Sequence, residues 1–207
     1  MPHPILLPKF ASVRTVGLIA RVGHALMLLA NKAMVKTMLD AGNATLERLC
    51  AERDCIRLLH AYGRAIDWQD REGLAGLFWP DATIDLGFFA GGGVEVVEFL
   101  LANAVRSQRR FHMTSNILLR VEGASALADS CCVTHAVGPD KARGQGWQLF
   151  LGRYLDRLER RGGEWRFAER RFLLNGYHEG AQDEPSPLAE VPRAAGLTPD
   201  HPQFRFR

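Results

Sequence analysis

The chain has 207 residues, 47% hydrophobic and 24% charged, with a formal net charge of +3. That length holds one sizeable domain with extra segments, and the composition is that of a globular protein. The small charge, with no basic run interleaved with aromatics, argues against a nucleic-acid partner, and the apolar runs are too short to span a bilayer.

The first stretch is unusual. From Met1 to Leu39 there is no acidic residue, while Lys9, Arg14, Arg21, Lys32 and Lys36 are basic. Apolar groups recur there at helical spacing, interrupted by Arg21, His24 and Lys32. No small-residue cleavage site follows a short apolar core, which argues against a signal peptide. Three readings stand: a helix capping the domain, placed first; a basic amphipathic helix for a membrane surface or partner; or an upstream start codon. Residues 1–41 are therefore expected to be a basic helical arm.

The next stretch, "NATLERLCAERDCIRLLHAYGRAID", reads as a helix capped by Asn43 or Thr45, with Glu47 and Glu52 toward its positive end. Ile56, Leu59, Gly63 and Ile66 recur at intervals of three and four, which is one stripe, and Asp67 falls at its edge. "REGLAGLF" predicts a short helix. "PDATIDLGFF", with alternating Ile84, Leu86 and Phe88, predicts a strand; "AGGG" predicts a turn and "VEVVEFLLANAV" a third helix. Four long strand candidates follow, beginning at "RRFHMTSNILLRVEG", "SALADSCCVTHAVG", "GWQLFLGRYLDRLERRGG" and "EWRFAERRFLLNGY". "RRGG" is a hairpin signal between the last two. Helices first and antiparallel strands after give an α+β fold, a curved sheet with one face on helices and one lining a cavity. From Gly180 the five prolines Pro185, Pro187, Pro192, Pro199 and Pro202 predict an irregular, exposed tail over 180–207.

Few residues carry chemistry. His112, Thr114, Asn116 and Leu118 share a strand face. A neutral His beside a carboxylate is a competent general base, and Asp67 is the carboxylate to pair with His112; the bland alternative is a core His and a helix-end turn residue. His135 is a second acid–base candidate or a buried His bonded to backbone. Tyr62 can polarise a substrate oxygen or serve as a core aromatic. Arg170, among apolar neighbours, can hold an anion or pair with a structural carboxylate. Asn116, Phe88 and Trp147 are expected to line the substrate's place. Cys50, Cys55, Cys131 and Cys132 show no C-x-x-C or zinc spacing and read as reduced thiols in a cytoplasmic protein. "FFAGGGVE" lacks the Lys-Ser/Thr ending of a phosphate loop.

The ordered set of Tyr62, Ala65, Asp67 and Asp70, then "GLAGLFWPDA", then His112 and Asn116 in "FHMTSNILL", then "GRYLDRLERRGGEWRFAERR" resembles SnoaL-like proteins of the nuclear-transport-factor-2-like superfamily. The pattern is similar to that of scytalone dehydratase, bile-acid 7α-dehydratase and hexachlorocyclohexane dehydrochlorinase. The resemblance covers roughly Gly42 to Glu179, set down as a domain over 42–179. It implies a cone-shaped α+β barrel, a bent antiparallel sheet wrapped by helices around an apolar pocket, with Asp67 and His112 on the positions of a catalytic dyad. Tyr62 matches a substrate-touching tyrosine, His135 a second histidine, and Arg170 an arginine of two of these enzymes. The expectation is a lyase needing neither metal nor nucleotide. It would eliminate water, halide or formaldehyde from a hydrophobic aromatic or polycyclic hydroxylated substrate, in a homodimer or homotrimer. The alternatives are a double-bond isomerase on the same scaffold, or a non-catalytic binding module or oxygenase partner subunit.

Overall fold

A computed structural model describes residues 13–140, 144–181 and 197–201. The chain divides into two units, Met1–Arg48 and Leu49–Arg207. Helix α1 (Val13–Asp67) carries residues of both, so the helix expected to start at Asn43 or Thr45 has no start there. The Thr45 hydroxyl donates back to the Ala41 carbonyl at 3.0 Å, an intrahelical bond rather than a cap.

In the second unit α1 buries Cys55, Leu58, Leu59, Tyr62, Ala65 and Ile66. Ile56, placed on that stripe by spacing, is instead 36% exposed. Helix α2 (Arg71–Ala75) is capped by Asp70, whose carboxylate accepts from the Gly73 amide at 2.9 Å. Strand β1 (Phe78–Asp85) and helix α3 (Gly93–Arg106) follow. The "AGG" expected as a turn is a three-residue strand, β2 (Ala90–Gly92), paired antiparallel with β1. Four long strands complete the chain: β3 (Arg109–Glu122), β4 (Ser125–Asp140), β5 (Gly144–Arg161) and β6 (Glu164–Ala181). The β5–β6 turn has Gly162 at φ 60° and Gly163 at φ 93°, backbone that glycine reaches at no steric cost. Of the tail expected over 180–207, Gly180 and Ala181 instead end β6, paired with Trp147 and Gly146, and residues 197–201 are half-buried except for exposed Asp200; the rest lies outside the described residues.

The six strands form one sheet in the order β2-β1-β6-β5-β4-β3. The fold is α+β with a curved sheet packed on helices, as expected, and the cone is open, since the order runs from edge to edge. One expectation changes: the sheet is mixed, because β1 pairs with β6 in parallel. Hairpin logic finds only neighbours in sequence, whereas this pairing joins strands separated by four others in the chain.

The curved inner face packs on α1 and α3. Buried Leu59, Ile66, Val96 and Leu100 of the helices join Phe78, Ile84, Leu158 and Phe167 of the sheet in one core. Where α1 crosses β3 the fit is tight, because a Cβ added at Gly63 would lie 2.8 Å from the Cβ of His112. Gly63→Ala is therefore expected to push β3 off α1 at His112, one turn from Asp67. Overpacking of this kind costs about 1–3 kcal/mol. Thermal melting reads the cost, and loss of the downfield imidazole N–H proton resonance of a carboxylate-bound histidine reads the displacement. An unchanged melt and resonance would show that β3 yields freely.

Candidate active site

Helix α1 ends in a left-handed turn. Gln69 takes φ 50°, its amide donates to the Ile66 carbonyl at 3.1 Å, and the Asp70 amide donates to Ala65 at 2.8 Å. These are the two bonds of a Schellman motif. Asp67, the last helical residue, is thus held rigidly with its side chain directed at β3. Its Oδ2 accepts from the backbone N–H of His112 at 3.0 Å, and its Oδ1 lies 2.6 Å from His112 Nδ1. That distance is within hydrogen-bond reach of a general base and its orienting carboxylate. Both side chains are nearly buried, 15% and 14% exposed for His112 and Asp67. A carboxylate can only accept, so it selects the tautomer with the proton on Nδ1, and Nε2 keeps its lone pair.

A third residue braces the pair. Arg110 lies two before His112 on β3 and so on the same face. Its Nη2 donates to the Asp67 carbonyl at 3.0 Å, and its Nη1 donates to the carbonyls of Ala104 and Ser107. One buried guanidinium therefore sits at the C-terminal ends of both α1 and α3, where helix dipoles are negative. Burial lowers the Arg110 pKa, and the Asp67 charge opposes that shift. Period-two spacing from His112 was the signal that could have found it.

His112 and Arg110 line a cavity of about 730 Å³. Its walls are Ile66 of α1, Phe99, Leu100 and Asn103 of α3, Phe88, and Thr134, Gln148 and Phe150 of the sheet. A volume of that size suits a small organic ligand, and a mostly apolar wall with a few convergent polar groups is the usual composition of such sites. Among the described residues no three His, Cys, Asp or Glu side chains come together as metal ligands.

This fold and this pair can be compared with known proteins. The family described as "SnoaL-like domain" matches residues 47–171, more than half of the chain. The chain belongs to the SnoaL-like family. Three solved structures resemble it. A protein of unknown function from Mycobacterium tuberculosis is 29% identical over 62% of this chain and 74% of its own, with a TM-score of 0.53. A hexachlorocyclohexane dehydrochlorinase from Novosphingobium barchaimii is 23% identical over 69% and 98%, TM-score 0.59. A candidate scytalone dehydratase from Novosphingobium aromaticivorans is 20% identical over 72% and 99%, TM-score 0.59. The last two show the shared fold. No curated protein matches the chain.

The other expected site residues of this SnoaL-like domain separate into three places. Phe88 is on the cavity wall. His135 and Trp147 are not: His112 pairs with Thr134, so His135, one residue on, points to the opposite face of the sheet. There it stacks on Trp147 with centroids 6.3 Å apart. Asn116 also leaves the site. It takes φ 49° in a bulge between Ser115 and Leu118, and is exposed. The bulge resets the alternation, so Leu118 is 73% exposed and Leu119 packs inward in its stead.

Tyr62 and Arg170 form the third group, buried and not on the wall of the His112 cavity; Arg170 instead borders a separate cavity of about 830 Å³. Arg170 is 1% exposed, and its Nε and Nη2 meet the Asp156 carboxylate at 2.8 and 2.9 Å. Its guanidinium lies 4.0 Å from the ring centroids of both Tyr62 and Tyr154. Burial opposes the Arg170 charge, but the Asp156 carboxylate and its hydrogen bonds override it and hold the pKa above its ordinary value. Burial likewise raises the Tyr62 hydroxyl, and it pushes the Cys132 thiol up to about 11. Arg170 is thus paired with a structural carboxylate, the second of its two sequence readings. Asp156 itself went unnoticed because a bulge between Arg157 and Leu158 shifts the hairpin register by one, so counting outward from "RRGG" aligns the wrong residues.

Proposed function

We propose that this SnoaL-like protein is a cofactor-independent lyase acting on a hydrophobic, hydroxylated or halogenated aromatic or polycyclic molecule. The observation that carries the reading is the 2.6 Å Asp67–His112 contact on the wall of a mostly apolar cavity. His112 Nε2 takes a proton from substrate carbon, the released pair forms a carbon–carbon double bond, and the leaving group departs with its own pair. Halide leaves as the anion; hydroxide leaves as water, taking back the proton that the His112 imidazolium has just gained. With a hydroxymethyl substrate the proton comes from the hydroxyl, the oxygen pair forms the carbonyl of formaldehyde, and the adjacent carbon–carbon bond breaks with its pair left on the substrate carbon, which then takes the proton back from the His112 imidazolium. Asp67 stabilises the imidazolium formed. Thr134 and Gln148, on the cavity wall, hydrogen-bond the departing or developing oxygen, in place of Tyr62, His135 and Arg170, which do not line it.

The catalytic unit is proposed as residues 42–179, in a cytoplasmic protein; all four cysteines are free thiols. Self-association as a homodimer or homotrimer is supported by exposed apolar side chains on the outer sheet face, among them Phe111, Met113, Leu118 and Leu155. Native mass spectrometry after exposure to a cell extract identifies what fills the cavity, and incubation of that compound with the protein tests turnover. A captured ligand released as a dehydrated, dehalogenated or deformylated product supports the lyase. A ligand returned unchanged points to a binding module, and a product of the same mass to an isomerase.

A further inference from the structure

We propose that α1 within Met1–Arg48 is an interfacial helix that lies on an anionic lipid surface. The proposal stands apart from the chemistry of the cavity. No described helix is long and apolar enough to cross a membrane. Counted at about 100° per residue, Met27, Leu28, Met34, Val35, Met38 and Leu39 fall in one arc of about 140°. Each of the six is between 49% and 67% exposed.

Arg21, Lys32 and Lys36 are 11 and 4 residues apart, one stripe at the edge of that arc beside Leu28 and Leu39, and all three are exposed. Asn31 shares the arc and exposed Leu29 lies outside it, but a mainly apolar arc with cations along one edge is the pattern of a helix lying in the headgroup layer with its apolar face sunk about 5–10 Å. The charge selects the occupant. The segment Met1–Leu39 has five Lys or Arg and no Asp or Glu. Exposed Asp40 and Glu47 follow on the same side of the helix, so the cationic part ends at Leu39, and anionic headgroups neutralise that part.

The test uses the full chain and two vesicle types, phosphatidylcholine alone and phosphatidylcholine with phosphatidylserine, read by flotation. Binding is expected to the second type, weakening as salt is raised. Lys32→Gln with Lys36→Gln should weaken it by roughly 25-fold, about fivefold for each cation near the surface. Met34→Gln with Met38→Gln should also weaken it and leave melting temperature and mass unchanged. Equal binding to both vesicle types, or to neither, overturns the proposal. So does a Met variant whose mass by light scattering falls, since a second copy then covers the arc, or whose melting temperature falls, since the arc then packs within the protein.

Discussion

His112→Ala is expected to keep its fold and ligand affinity while losing turnover by roughly 10²–10⁴-fold, the usual worth of a general acid–base group. The imidazole is partly exposed and anchors no core cluster. The backbone N–H of residue 112 survives the change and still donates to Asp67, so the carboxylate is not stranded. Affinity in a mostly apolar cavity comes mainly from buried area, at about 25 cal/mol per Å² before the costs of association. Asp67→Asn should lose rate by another route. Its amide nitrogen would donate to Nδ1, leaving the proton on Nε2, so the ring would offer the substrate a donor in place of a base. Steady-state kinetics on the captured ligand, with circular dichroism as the control for folding, checks both. His112→Ala at the wild-type rate would retire the dyad mechanism.

Asp156→Ala is expected to be the most destabilising single change in the core. Arg170 cannot shed its proton, so removing its partner leaves a naked buried cation. Breaking a buried pair from one side costs about 3–5 kcal/mol. At about 2–4 °C per kcal/mol for a chain of this size, the melting point should fall steeply. Arg170→Met should behave differently with pH. Burial already pushes the Asp156 carboxyl up, and without the guanidinium nothing opposes that push. A carboxyl whose folded pKa exceeds its unfolded value stabilises below the unfolded pKa and loses that contribution as pH rises through the folded one. The Arg170→Met deficit should therefore shrink toward acid pH, while the Asp156→Ala deficit should not. Thermal melts across pH decide it, and Asp156→Leu with Arg170→Met, which removes both charges, should recover much of the loss. Parallel pH profiles for the two single variants would show that the pair is not the isolated buried contact described.

The sequence showed element types far better than element faces. Four long strands, α3 and the β5–β6 turn follow from alternation, period and the Gly162–Gly163 pair. The Asp67–His112 pair came from family resemblance, because no local rule reports that a helix end and a strand meet. Assignments failed wherever one residue decides a face. Extrapolating from His112 to Asn116 ignored the bulge, and pairing His135 with the cavity needed a register off by one. Tyr62 on α1 and Arg170 on β6 are both buried and neither lines the cavity with His112, because burial in the core follows from packing that no local pattern reports. Arg110 shares the His112 face by period two, but an arginine beside another arginine reads as surface charge, and spacing does not show three carbonyls converging on it.

Those three carbonyls have a consequence for what the protein can accept. Ala104 and Ser107 terminate the helix that walls the cavity, and Asp67 terminates the helix that carries the acid of the pair. A single guanidinium hitches the two together, so the width of the chamber and the aim of the base are not independent. A guest bulky enough to push α3 outward pulls Arg110 with it and drags on the carbonyl of Asp67, loosening the contact at His112. An oversized molecule would enter and find the base misaimed. Discrimination by size would then be enforced in the rate of reaction rather than at the door.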